Sequence, residues 1–304
     1  MHQSGSTLIE SPGIARCAER RPLRAWRDRR VRPDNNPGAG RNTRSTRVSL
    51  WSSIVLTLCL HQTLPTAAAG LPDTLVSIKR GVVAVGTYMR VRAQPHDLRG
   101  SGFVVAGNHA VTNAHVLPPR LDANRREVYA LFVPTGQDQV QVREADLVRR
   151  DETHDLALLR FGGAPLPPLA LGRGTDLREG EAVAFTGYPI LNALGLFPAT
   201  HQGIVAAIAP IVIPVGSARD LTTEMVKRLS EPFNIIQLDA TAYPGNSGSP
   251  LYEPDSGRVV GVINSVFIKG TKEVALSDPS GITYAIPVEH VRALLQAAGI
   301  KAAP

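Results

Sequence analysis

The sequence predicts an all-β fold made of two small barrels in tandem, and three observations carry that reading. Ten short β-type runs follow one another along the chain: 82–93, 102–106, 109–117, 127–133, 155–161, 181–189, 203–213, 234–240, 257–267 and 282–287. Glycine and proline punctuate them, which is the pattern of many short strands joined by turns rather than of strands alternating with helices. The Pro- and Gly-rich stretch GGAPLPPLALGRG, residues 162–174, divides the runs into two groups. It places barrel one at about residues 75–165 and barrel two at about 178–287.

The parts of the chain follow in order. Residues 1–69 hold 11 of the 33 basic residues and 4 of the 26 acidic ones, so the formal charge of +7 belongs to this prefix. Residues 1–47 have no apolar period and are expected to be a disordered basic extension, a composition that a start codon assigned too far upstream would also produce. Residues 48–60, VSLWSSIVLTLCL, are apolar, preceded by Arg41, Arg44 and Arg47 and followed by HQTLPTAAAG. Basic, apolar, then small residues is the order of a secretory signal peptide. Residues 48–69 are therefore expected to direct export to the periplasm or the extracellular space, with cleavage after Ala68 or Ala69. Thirteen helical residues reach only about 20 Å, short of a bilayer core, so no stable membrane insertion is expected after cleavage.

From Gly70 onward 22 basic and 22 acidic residues balance. The isoelectric point near 9.8 is thus no sign of nucleic-acid binding, because residues 70–304 carry no net basic field. Cys17 and Cys59 both lie in the prefix, which excludes a disulfide framework, a cysteine nucleophile and a thiolate metal site from residues 70–304. No cofactor or metal is expected. Two helices interrupt the strands. Residues 220–230 carry Leu221, Met225 and Leu229 on one face before Pro232. A C-terminal helix starting at Pro287 carries Val291, Leu294, Leu295 and Ala298 on one face before Gly299.

The chemistry concentrates in DATAYPGNSGSPLY, residues 239–252. A nucleophilic serine must sit on a tight turn that exposes its hydroxyl while backbone N–H groups converge on the carbonyl oxygen it attacks. Gly245 and Gly248 flank Ser247 and permit such a turn, although a plain Gly-Asn-Ser surface turn would read the same way. A base and an orienting acid lie upstream. His115 ends the run 109–117, and Asp155 stands where polar residues give way to an apolar strand. The order His, Asp, Ser is that of chymotrypsin and not of subtilisin or the α/β-hydrolases. Of the other histidines beyond residue 70, His96, His109, His201 and His290 read as surface or turn residues. His154 adjoins Asp155 but faces the other way on an extended chain.

The segments TNAHV (112–116), HDLALLR (154–160), GNSGSPL (245–251) and GITYAIP (281–287) resemble trypsin-like serine proteases of the HtrA/Deg type, and the similarity runs over about residues 75–298. The resemblance implies a double six-stranded β-barrel of the chymotrypsin fold with a C-terminal helix and a cleft between the barrels. It implies His115 as general base, Asp155 as its orienting acid and Ser247 as nucleophile. It places the oxyanion hole at Gly245, Asn246 and Ser247, with the amides of Gly245 and Ser247 as donors. Thr241 and Ala242 would floor the primary pocket, and Asn264, Ser265 and Val266 would pair with an extended substrate. The implied activity is that of an exported serine endopeptidase acting on unfolded or extended polypeptide. A catalytically weak peptide-binding or chaperone protein on the same fold is the alternative, and a lost triad residue, which would favour it, is not found. An esterase with the same triad would differ only in substrate.

Several departures from the family pattern shape these expectations. Ser249 stands where the family reads a second glycine after the serine, residues 209–233 read as an insertion, and no PDZ domain follows before Pro304, so PDZ-driven assembly is not expected. Asn246 stands where digestive members carry an aspartate that pairs with a new N-terminus. No zymogen activation is therefore expected, and loops 190–202, 209–233 and 267–280 are expected to order the oxyanion hole. With Thr241 rather than an acid at the pocket floor, cleavage is expected after small or medium uncharged residues, since an unpaired charge there is strongly disfavoured.

Overall fold

A computed structural model of the chain describes residues 70–136, 139–190, 195–210, 232–264 and 281–303. The prefix, the helix expected at 220–230, and Ser265 and Val266 lie outside the described residues. Strands β1 (Val82–Tyr88), β2 (His96–Ala106), β3 (His109–Asn113), β4 (Val128–Gly136), β5 (Gln139–Asp151) and β6 (Leu156–Phe161) close in the order β1-β2-β3-β6-β5-β4. Strands β7 (Ala182–Gly187), β8 (Ala199–Pro210), β9 (Asn234–Asp239), β10 (Pro250–Tyr252), β11 (Val259–Asn264) and β12 (Ile282–Pro287) close in the order β10-β11-β12-β9-β8-β7. Every pairing within the two barrels is antiparallel. The double barrel expected from the sequence is what the chain forms.

Strands β1, β3 and β6 and the second half of β2 read as unbroken apolar runs because both of their faces are buried. Alternate residues supply two different clusters. Val83, Val85, Val104, Ala110, Ala157 and Leu159 enter a cluster drawn from barrel one alone. Their neighbours Val82, Ala84, Phe103, Val105, Val111, Leu156 and Leu158 enter a second cluster, which continues into Tyr188, Tyr252, Val262 and the C-terminal helix of barrel two. The interior residues Val183, Phe185, Val205, Ile236, Leu238, Leu251, Val260 and Ile263 make up a third, within barrel two.

Three elements lie outside the ten expected runs, the short β10 among them. β5, QVQVREADLVRRD, is long, charged and largely exposed along one face, so its apolar content is too thin to read as a strand. Helix α1 (Leu71–Gly81) precedes β1, with Pro72 in its first turn, Asp73 at its N-terminal end and Lys79 and Arg80 at its C-terminal end, each placed to suit the helix dipole. It buries Thr74 and Ile78 against the turn before β11, where a Cβ on Gly257 would stand 2.9 Å from Thr74 Cγ2. The side chain of Ile78 is 1% exposed, and burial of that size is worth about 2 kcal/mol.

Helix α2 (Val288–Ala297) is the expected C-terminal helix, burying Val288, Val291, Leu294 and Leu295. Gly299 follows it at a φ of +69°, the left-handed stop that glycine takes most readily. The chain then returns to barrel one, where the Ala303 amide donates to the Val105 carbonyl at 3.0 Å.

Candidate active site

His115 leaves the end of β3 on a single 3-10 turn, residues Ala114–Val116, and Asp155 closes the turn between β5 and β6. The Asp155 carboxylate holds His115 at two points. Oδ1 accepts the His115 backbone amide at 2.9 Å, and Oδ2 lies 2.6 Å from His115 Nδ1. With Nδ1 donating to the carboxylate, Nε2 is the ring nitrogen left to accept a proton. Asp155 is buried, 6% exposed, and its φ of +53° is left-handed, a conformation aspartate tolerates better than most residues. Its carbonyl accepts the Ala114 amide and Asn113 Nδ2, each at 3.0 Å.

Ser247 is carried by the turn between β9 and β10, and three contacts fix that turn to barrel one. The Ser101 amide of β2 donates to the Ser247 carbonyl at 2.8 Å. A Cβ on Gly100 would meet that same carbonyl at 2.9 Å and Val116, next to His115, at 2.6 Å. Gly248, at φ +87°, presses against the Ser101 carbonyl and leaves Thr112 Oγ1 only 2.6 Å from where its Cβ would be. Only glycine allows these approaches at 100 and 248.

The preceding residues form a turn with the Asn246 amide donating to the Tyr243 carbonyl at 3.0 Å. Pro244 occupies its second position and Gly245, at φ +101°, its third, which is the type II pattern. The two intervening carbonyls are tied down: that of Pro244 by the Ile190 amide at 2.7 Å and that of Gly245 by Ser101 Oγ at 2.7 Å. Ser101 Oγ in turn accepts the Tyr188 amide at 2.9 Å. Among the described residues the amides of Gly245 and Ser247 donate to no protein acceptor. An oxyanion hole requires a pair of N–H groups without protein acceptors. The Asn246 amide is consumed by the turn, which leaves Gly245 and Ser247 as the available pair of the expected trio. Of the loops expected to order this turn, 190–202 contributes Ile190, while 267–280 and most of 209–233 lie outside the described residues. The larger brace is Ser101, a strand serine that nothing in the sequence singles out.

Asn264, expected beside an extended substrate, also reaches the acid. Its side-chain Nδ2 donates to Asp155 Oδ2 at 2.7 Å, and both residues are buried. Thr241 and Ala242 are half-buried beside Thr283 Oγ1, which accepts the Ala242 amide at 2.9 Å and donates to the Ala240 carbonyl at 2.6 Å. The histidines expected at the surface are more occupied than their sequence context suggests. His96 stacks on Tyr88, His201 stacks on Phe185 with its Nε2 buried, and His290 stacks on His154. Burial lowers the pKa of His201. His154 does face away from the Asp155 carboxylate, its Nδ1 lying 2.7 Å from Asp151 Oδ2. Among the described residues no group of three or more His, Cys, Asp or Glu could hold a metal ion, and no helix is long and apolar enough to cross a membrane.

A model of the trypsin-like peptidase domain matches residues 100–262. The chain is 32% identical over 222 residues to a probable periplasmic serine endoprotease DegP-like of Pseudomonas fluorescens, covering 72% of this chain and 39% of that protein. It is 36% identical over 198 residues to the mitochondrial serine protease HTRA2 of Bos taurus, covering 64% of this chain and 35% of the other. The chain thus spans less than half the length of these relatives. Among solved structures, the HtrA-type protease AlgW with a tripeptide superposes with a TM-score of 0.53 at 24% identity, over 75% of this chain and 62% of that one. That likeness concerns the fold.

Proposed function

Since the chain belongs to the trypsin-like peptidase family and is of the HtrA/Deg type, we propose that it is an exported serine endopeptidase cleaving unfolded or extended polypeptide through His115, Asp155 and Ser247. The observation that carries this reading is the two-point hold of Asp155 on His115, at 2.6 and 2.9 Å. A carboxylate that grips both the backbone and Nδ1 of a histidine leaves Nε2 one task, to take a proton. His115 Nε2 removes the Ser247 hydroxyl proton as Oγ attacks the peptide carbonyl. The amides of Gly245 and Ser247 receive the oxygen as it gains charge. The imidazolium, stabilised by Asp155, returns the proton to the leaving amine, and an acyl-enzyme remains at Ser247. Water, deprotonated by the same histidine, then releases the acid.

Export is supported by the basic, apolar and small-residue order of residues 41–69 and by the periplasmic naming of a relative. An extended substrate is the form that strand pairing at residues 264–266 would accept. The test is incubation of residues 70–304 with an unfolded protein and, separately, with a serine-directed covalent inhibitor. Labelling at Ser247, lost in Ser247→Ala along with a fall in turnover on the order of 10⁶, supports the reading. Binding of unfolded protein without turnover or labelling would overturn it in favour of a peptide-binding role, and hydrolysis of small esters alone would favour an esterase.

A further inference from the structure

The turn that carries Asp155 is held from two directions. On one side its carboxylate and carbonyl meet His115, Asn264, Asn113 and Ala114, as described above. On the other, Asp151 caps the turn: its Oδ1 accepts the His154 amide at 3.1 Å while Oδ2 grips the His154 ring at 2.7 Å. That ring lies face to face with His290 of α2, with centroids 3.9 Å apart and planes 22° from parallel. Phe233, just before β9, meets both rings edge-on, at 4.7 and 5.0 Å. Arg149, near the end of β5, ties that strand to α2 as well, its Nη1 donating to the Ala297 carbonyl at 3.3 Å.

We propose that the stacked rings of His154 and His290 are a positioning element for Asp155, so that α2, which touches no reacting atom, sets the geometry of the acid–base pair. The freedom left to Asp155 is rotation about its left-handed backbone, which carries little intrinsic preference for the native angle. His154 is the residue through which that rotation would propagate. Its ring is clamped by Asp151 and by a helix anchored through Val291, Leu294 and Leu295. A displacement of this stack by about 1 Å would move Asp155 by a comparable distance, enough to spoil a catalytic alignment.

The pair is also sensitive to acid. His290 is pushed down to about 4, first by burial and then by the neighbouring His154, with Asp151 opposing. Among the described residues the titratable groups facing His290 are His154 and Asp151. On its own helix, Glu289 turns away to the Thr175 amide and Arg292 to the carbonyls of Leu171 and Gly172. A charge on His290 would be buried against the His154 face, so protonation of His290 weakens the stack.

The inference rests on the triad reading, so the experiment separates the two. Inhibitor labelling of the wild-type protein at Ser247, abolished in Asp155→Asn, comes first, and its absence would sink the triad reading. With labelling established, His290→Ala and His290→Phe are compared by kcat and KM on a peptide substrate and by the far-downfield proton resonance of His115 Nδ1–H. His290→Ala is expected to lower kcat about tenfold with KM changed less than twofold, and to shift or lose the resonance in a folded protein. His290→Phe, which keeps the ring face without the titration, is expected to recover kcat to within about threefold and to hold the resonance to lower pH than the wild type. If the alanine variant does not fold, His290→Leu, which fills volume without a flat face, takes its place with the same expectation. Wild-type kcat and resonance in the alanine or leucine variant, or a phenylalanine variant as impaired as either, would overturn the proposal.

Discussion

Replacing Gly187 by alanine probes the polar brace beneath the oxyanion turn. Gly187 ends β7, and a Cβ there would overlap Ser249 Oγ outright, stand 2.8 Å from Ser101 Oγ and lie 3.0 Å from Asn246 Oδ1. All three residues are buried, so the methyl group must displace at least one of them. Overpacking of this kind costs about 1–3 kcal/mol, which in a domain of this size lowers Tm by roughly 2–10 °C. The catalytic effect follows from Ser101, whose Oγ joins the Tyr188 amide to the Gly245 carbonyl. Losing one oxyanion donor outright lowers kcat by about 10²–10³, so partial displacement is expected to lower it about 10- to 100-fold with little change in KM. Ser249→Gly supplies the internal control, because it deletes the atom with the worst overlap. Ser249 Oγ has no hydrogen-bond partner among the described residues, so this change alone should be nearly neutral. The double variant should regain most of what Gly187→Ala loses, with a coupling of about 1 kcal/mol or more in urea unfolding and a matching recovery of kcat on a fluorogenic peptide. Additive effects, or wild-type behaviour of Gly187→Ala, would refute the reasoning.

Three further outcomes are expected. Asn264→Ala removes a hydrogen bond to a buried carboxylate, worth about 1.5–3 kcal/mol, and should lower kcat roughly 10- to 100-fold with KM steady; an unaffected kcat would remove Asn264 from the site. His290 favours its neutral form in the folded protein, so the stability it confers is complete above about pH 6.5 and lost as the pH falls toward about 4. Partial exposure of the ring reduces an upper bound of about 3 kcal/mol to about 1–2 kcal/mol, and urea unfolding of wild type and His290→Phe between pH 7 and pH 4 should diverge by that amount. Finally, peptide-library profiling should find Ala or Val before the cut bond, and Thr241→Asp should move the preference toward Lys or Arg; a wild-type preference for Lys or Arg would refute the pocket assignment.

What could be read from the sequence was what depends on local pattern. Ten apolar runs and their punctuation give the barrels, because burial on both faces makes β1, β2, β3 and β6 unmistakably apolar. The order of His115, Asp155 and Ser247 is legible because each sits at an abrupt change from apolar strand to polar or glycine-rich turn. β5 escaped because its exposed face is charged, and α1 because its buried face amounts to little more than Thr74 and Ile78. Ser101 as a brace and Asn264 as a partner of Asp155 escaped for a different reason. Each looks like any polar residue in a strand, and its partner lies more than one hundred positions away, at Gly245 and Asp155.

The site is divided between two barrels, and its precision depends on how they are joined. Barrel one supplies His115 and Asp155, while barrel two supplies the Ser247 turn and Asn264. The contacts that cross between them at the reacting centre include Ser101 to the Ser247 carbonyl, Ser101 to the Gly245 carbonyl, Gly248 against Ser101 and Thr112, and Asn264 to Asp155. At the periphery the chain crosses twice more. Helix α1 leads into barrel one but packs on the Gly257 turn of barrel two, and the segment after α2 leaves barrel two to bond the Val105 carbonyl of barrel one. Sliding one barrel against the other would have to break both sets at once. Since a misplacement of about 1 Å can lower turnover on the order of 10²-fold, loosening either of these flanking segments is expected to lower turnover of the proposed protease.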